Sequence, residues 1–155
     1  MDKEIYTPRT QEEIKKIENL ILKHCGTQMR DVWRLGVQLG LRIDELLQIK
    51  FEHIVNNNLS RLTVIKTRNN ESLTTNLSPV AVEVVSNIRK EYPTDTYVFQ
   101  SRNSRNRANK EPKPISRRAV VKAFSNIGEL LNVRLTANSM RQIFVTKLFM
   151  NSRNN

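Results

Sequence analysis

Hydrophobic residues recur at helical spacing along most of this chain, and the period changes once, near its middle. Ile14, Ile17 and Ile21 fall on one helical face behind a capping box of Thr10 and Glu13, and Gly26 stands where that helix ends. A second helix carries Met29, Val32, Trp33, Gly36 and Val37 at core spacing and stops near Gly40; a short third one turns Ile43, Leu46 and Leu47 inward. From Arg61 to Thr67 the pattern is β-branched and alternating, and a weaker run follows from Glu71 to Leu77. Arg68-Asn69-Asn70 between them predicts a hairpin turn, since adjacent asparagines tolerate positive φ. Ser78 is an N-cap followed by Pro79 at the first helical position, opening a helix with Ala81, Val84, Val85 and Ile88 inside. Tyr97-Val98-Phe99 reads as a short extended piece. Ser116 caps a helix burying Val120, Phe124, Ile127 and Leu131, and a last helix packs Met140, Phe144 and Leu148. The expected fold is mainly α with a small antiparallel β-sheet (α+β). An arm over 1–9, a single domain over 10–151 and a polar tail over 152–155 are expected.

Composition narrows the classes. A chain of 155 residues buries a core without disulfides or metals. Cys25 is the only cysteine, and His24 and His53 the only histidines, so neither a disulfide, a metal site nor a cofactor is expected. No run approaches the roughly 18 apolar residues of a membrane span, and no apolar stretch follows Met1 as a signal peptide requires. The expected compartment is the cytoplasm. Lys+Arg 26 against Asp+Glu 15 gives a net charge of +11. That excess favours a polyanionic partner, because each phosphate neutralised releases condensed counterions; a soluble protein with a merely basic surface is the other reading. Residues 101–114 have almost no apolar content and carry Arg102, Arg105, Arg107, Lys110 and Lys113. They predict a solvated loop, either in contact with phosphates or simply a charge run. Arg117 and Arg118, in the first turn of the next helix, can face a groove.

The string Gly40-Leu41-Arg42-Ile43-Asp44-Glu45-Leu46 resembles the first conserved box of the tyrosine recombinases, the integrase family: Gly-Leu-Arg, two variable residues, then Glu-Leu. The resemblance implies that Arg42 grips a DNA phosphate and that Glu45 buttresses it. At i and i+3 the two share a helical face, and an arginine's planar fork suits a phosphate; a helix-surface ion pair worth a few tenths of a kcal/mol fits the same spacing. Lys66 ends the run before the hairpin turn, where the family carries a lysine that protonates the leaving 5′ oxygen; an edge-strand lysine reads the same way. Thr136-Ala137-Asn138-Ser139-Met140-Arg141 resembles the family's His-x-x-Arg box, with Arg141 as the second phosphate-binding arginine. Asn138 holds the histidine's place and can donate a hydrogen bond but cannot titrate near neutral pH.

The resemblance covers roughly residues 10–150. Its pattern is nearest to small single-domain recombinases that flip fimbrial promoters, with a Tyr-Pro…Val-Phe segment before the basic loop. It implies double-stranded DNA as partner, held at one phosphate by Arg42, Lys66 and Arg141, and self-association or pairing with a related recombinase. One departure shapes the functional expectation. The family's nucleophile is a tyrosine after the second arginine, whereas Tyr6, Tyr92 and Tyr97 all precede Arg141, and residues 142–155 contain no His, Trp or Tyr. Covalent catalysis needs that nucleophile. The expectation is therefore a DNA-binding protein that does not recombine as given, acting as a regulator of transcription or an accessory factor. The alternative is a site-specific recombinase whose C-terminal segment is missing or supplied by a partner.

Overall fold

Helix α1 (Gln11–Cys25) starts where the hydroxyl of Thr10 accepts the N–H of Glu13 at 3.1 Å, and it buries Ile14, Ile17 and Ile21 as the spacing requires. Gly26, at φ +93°, caps α1 and at once opens α2 (Thr27–Leu39). The computed structural model describes residues 4–55, 61–65, 69–102 and 111–153. By contact clustering the chain forms two units, residues 1–43 with 118–155, and residues 44–117.

In the first unit α2 packs against α1 and against α6 (Ala137–Arg153), and α5 (Arg117–Leu131) completes the core. Trp33 is wholly buried and meets Phe124 edge-on, with ring centroids 5.7 Å apart at 82°. Such a pair contributes about 0.5–1.5 kcal/mol beyond its area burial. Three core expectations change. Met29 and Leu131 are only half-buried, and Leu148 is 53% exposed. The buried face of α6 runs instead through Ser139, Met140 and Ile143. An i, i+4 row drifts by about 40° per step around a helix, so the row Met140, Phe144, Leu148 rotates out of the core. Asn132, at φ +55°, turns the chain between α5 and α6. There the N–H of Val133 returns to the carbonyl of Gly128 at 2.8 Å, where a Cβ on Gly128 would lie 2.6 Å from the Val133 carbonyl oxygen.

The second unit holds α4 (Pro79–Glu91) and a three-stranded antiparallel sheet in the order β1 (Ile54–Val55), β2 (Arg61–Ile65), β3 (Ser72–Asn76). Two of these strands were expected; β1 is two residues long and too short to show alternation. Pairing runs from Arg61 opposite Asn76 to Ile65 opposite Ser72, which sends Leu62 and Val64 inward. Asn70 takes φ +58° in the turn. Ser78 accepts the N–H of Ala81 at 3.2 Å, and α4 buries Ala81, Val84, Val85 and Ile88. Helix α3 (Ile43–Leu47) buries Ile43, Leu46 and Leu47.

Tyr97-Val98-Phe99 is not an extended strand. Tyr97 and Gln100 form isolated bridges to Lys50 and Pro114, with Val98 and Phe99 in a turn between them. The Gln100 side chain causes this, its Oε1 accepting the N–H groups of Thr96 (2.9 Å) and Tyr97 (3.2 Å). Among the described residues, no helix is long and apolar enough to cross a membrane, and no cluster of three His, Cys, Asp or Glu side chains could hold a metal.

Candidate functional site

Helix α6 begins with a reciprocal cap that the sequence reading had not identified. The hydroxyl of Thr136 accepts the N–H of Asn138 (3.2 Å), and the hydroxyl of Ser139 accepts the N–H of Thr136 (3.2 Å). The signal for it was a Thr and a Ser three residues apart, a capping box with serine in place of Glu or Gln. This cap sets the first turns of α6 and places Asn138 and Arg141 on one face, three residues apart. Asn138 is exposed and Arg141 half-buried.

Arg141 reaches back to the first box. Its Nε donates to the carbonyl oxygen of Gly40 at 3.3 Å. Gly40 ends α2 in the left-handed region, at φ +65°, and its own N–H returns to the carbonyl of Gly36 at 3.0 Å. A Cβ on Gly40 would lie 2.1 Å from the ring of Phe144, so the glycine also lets α6 approach. The two arginine-bearing segments are thereby joined in one unit: Arg42, exposed to solvent, follows two residues after the carbonyl that holds Arg141.

An open cleft of about 730 Å³ lies along this face of α6, lined by Asn138, Arg141, Gln142, Val145 and Thr146, and by Thr7 and Arg9 of the N-terminal arm. Arg9 did not figure among the site residues expected from the sequence, because no periodicity or motif marks a residue of an arm. The arm is nevertheless tied down. Ile5 forms a parallel bridge with Arg134, and the N–H of Tyr6 donates to the Arg134 carbonyl at 2.8 Å. The Thr7 hydroxyl donates to Oε1 of Gln142, and the Tyr6 hydroxyl donates to the Glu13 carboxylate at 2.5 Å. That bond, with burial and the charge of Glu13, pushes the Tyr6 phenol up to about 12. The same bond, joined by those from Thr10 and the backbone of Arg9, holds the Glu13 carboxyl below its usual range. The cleft sits in a cationic stretch, since residues 118–155 carry Arg118, Lys122, Arg134, Arg141, Lys147 and Arg153 against Glu129 alone.

Arg42 precedes the first residue of α3 rather than lying within it, and its exposure contrasts with the burial of Glu45, 3% accessible. Lys66, Arg105, Arg107 and Lys110 lie outside the described residues. Lys113, Arg117 and Arg118 are exposed, the last two in the first turn of α5. Arg102 is not part of a solvated run. It forms a two-pronged pair with the Asp95 carboxylate and stacks its guanidinium 3.4 Å from the centre of the Tyr92 ring. Asp95, 9% accessible, also accepts from Gln100 at 3.2 Å, and its carbonyl accepts from Arg89 at 2.7 Å. With Ser101 donating to the Lys113 carbonyl at 2.7 Å, both roots of the basic loop are held. The tyrosines have structural partners: Tyr6 has Glu13, Tyr92 lies under Arg102, and Tyr97 lies under Lys50 at 5.5 Å.

A mainly helical α+β chain, with an arginine of its last helix tied to a Gly-Leu-Arg turn, has the architecture of a tyrosine-recombinase catalytic domain. Residues 9–154 match the Phage integrase family, and the chain belongs to it. Among solved structures, it is similar to a lambda integrase dimer bound to a COC′ core site, at 17% identity and TM-score 0.69, over 93% of this chain and 41% of that one. XerA recombinase is similar at 16% identity and TM-score 0.71, over 98% of this chain and 52% of that one. The Tn1549 transposon integrase in complex with circular intermediate DNA is similar at 17% identity and TM-score 0.67, over 99% and 55%. The chain thus spans about half the length of these structures. No curated protein matches it in sequence.

Proposed function

We propose that this protein binds double-stranded DNA by its phosphate backbone, using Arg42 and Arg141, and acts by binding rather than by cutting, as a regulator or accessory factor. The observation that carries the DNA-binding part of this reading is the Arg141–Gly40 hydrogen bond. It directs one edge of the guanidinium inward and leaves the other edge for a ligand at the open cleft. A guanidinium held this way is pre-organised for two-pronged recognition of a phosphate. Asn138, on the same face, adds a neutral donor without a titrating proton. The exposed Lys113, Arg117 and Arg118, and the loop cations Arg105, Arg107 and Lys110, are in this reading further phosphate contacts. Arg102 serves differently in this reading, as the root of the loop on Asp95. In this reading Lys66 serves as a further phosphate contact, and Glu45 keeps the supporting place that the family resemblance gives it. The DNA-bound structures of lambda integrase and the Tn1549 integrase support the choice of ligand.

The test is a fluorescence-anisotropy titration of duplex DNA at several salt concentrations, with Arg42→Ala and Arg141→Ala beside the unaltered protein. Binding that weakens as salt rises, and weakens further in both variants, is expected; absence of binding at low salt overturns the reading. Membership of the phage integrase family favours a second reading, strand cleavage with a nucleophile from outside these 155 residues. A nicked suicide substrate decides it. A covalent protein–DNA adduct would replace the first reading with the second.

A further inference from the structure

The N-terminal arm also lines the cleft, and nothing so far assigns it a role. Arg9 lines the cleft together with Asn138 and Arg141, with Thr7 beside it. Three separate attachments hold the arm there. Its backbone pairs with Arg134 at Ile5 and Tyr6, Thr7 bonds Gln142, and Tyr6 bonds Glu13. Glu13 also takes the hydroxyl of Thr10 at 3.1 Å, so one carboxylate at the start of α1 organises residues on both sides of Arg9. Ordering a chain segment costs about 1–2 kcal/mol per residue in backbone entropy. Burial of Pro8 and partial burial of Ile5 and Tyr6 offset part of that cost, and the attachments offset more of it. They hold a cation on a cleft that Arg141 also lines. Like charges lining one cleft disfavour each other, and an anion bound there offsets that cost.

We propose that the arm is a second phosphate clasp, in which Arg9 takes a DNA backbone phosphate next to the one held by Arg141, with Tyr6 and Glu13 as positioning residues. The inference rests on the DNA-binding reading above and deepens it, because it names which groups of the ligand the cleft takes. Backbone phosphates are the same in every sequence, so two cations that take them carry no information on the identity of a base.

The experiment uses the full chain and a duplex of mixed sequence. Each phosphate contact contributes about 0.9 to the slope of log affinity against log salt, which corresponds to roughly a tenfold weakening at 0.1 M salt when a contact is lost. Arg9→Ala should lower the slope by about that amount, Arg9→Lys should restore it, and a second duplex of unrelated sequence should show the same changes. Tyr6→Phe should weaken binding several-fold with the slope retained, since the cation remains but must be ordered on binding. In the Arg9→Ala background Tyr6→Phe should add nothing, which a merely structural role for Tyr6 would not give. Arg9 is exposed, so thermal unfolding of Arg9→Ala should match the unaltered protein and exclude misfolding. If Arg141→Ala lowers the slope and Arg9→Ala does not, the clasp is wrong and the DNA-binding reading stands. If neither changes it, the reading beneath it fails as well.

Discussion

The Nε of Arg141 lies 3.3 Å from the carbonyl oxygen of Gly40, a bond spanning 101 positions of sequence and joining the two boxes that resemble the recombinase signature. Arginine and lysine differ at this place. Lysine gathers its three donors on one nitrogen, so it cannot hold the carbonyl and at the same time present a planar two-pronged edge outward. Arg141→Lys is therefore expected to keep the charge contribution to the salt slope but lose several-fold in affinity, and to unfold with about 1 kcal/mol less stability. Anisotropy and denaturant titrations on the same samples check both halves.

Gly40→Ala should be costly. The new Cβ would fall 2.1–2.7 Å from three atoms of the Phe144 ring, and the position has φ +65°. The left-handed backbone costs about 1–2 kcal/mol for a residue with a Cβ, and overpacking typically adds 1–3 kcal/mol. Replacing Phe144 with Leu in the same chain should recover part of the second amount and none of the first. Urea denaturation of the two single variants and the double variant separates them.

The Tyr6–Glu13 bond predicts a specific pH dependence. The Tyr6 pKa is raised, so the folded protein binds that proton more tightly. The associated stability is present below the ordinary tyrosine pKa of about 10 and is lost as pH rises toward about 12. Glu13 is lowered, so its contribution is present above the ordinary carboxylate range and is lost as pH falls through the folded value. The stability difference between the unaltered protein and Tyr6→Phe should thus be largest near neutrality and shrink at both extremes. A difference that stays constant from acid to alkaline pH would show that the bond is not formed in solution.

Asn138→His would place a titrating group on the cleft. An ordinary histidine changes charge near pH 6.5, so this variant should bind DNA more tightly below that pH than above it. The unaltered protein, with an amide there, should lack the step. Affinity measured between pH 5.5 and pH 8, roughly one unit or more to either side of that value, shows it directly.

Removing the Asp95 carboxylate should destabilise the second unit. Asp95→Ala leaves the guanidinium of Arg102 without its paired acceptor and Gln100 without one of its partners. A loss of about 1–3 kcal/mol is expected. Arg102→Ala should lower stability without changing the slope of the salt dependence, because its charge is already satisfied within the protein. A reduced slope for that variant would instead return Arg102 to the DNA-contacting set.

Local chemistry made much of this protein legible before any tertiary contact was considered. The Thr10 and Ser78 caps, the inner faces of α1, α2 and α4 and the alternation of β2 follow from side-chain period and hydrogen-bonding groups within a few residues of each other. So did the order Gly40-Leu41-Arg42 to Arg141, which named the family. Tertiary structure decided the rest. The burial of Ile143 and the exposure of Leu148 depend on how far α6 rotates against α2, the turn at Val98 depends on a side chain that bonds backward, and Arg102 finds a carboxylate seven residues away. Arg9 is the sharpest case. Nothing in its neighbourhood along the chain distinguishes it from any other surface cation, and only the pairing of the arm with Arg134 carries it to the cleft of Arg141. A local pattern encodes which face of an element is apolar. Which distant element that face meets is set by packing and by long-range hydrogen bonds, and these also determine which cations share one surface.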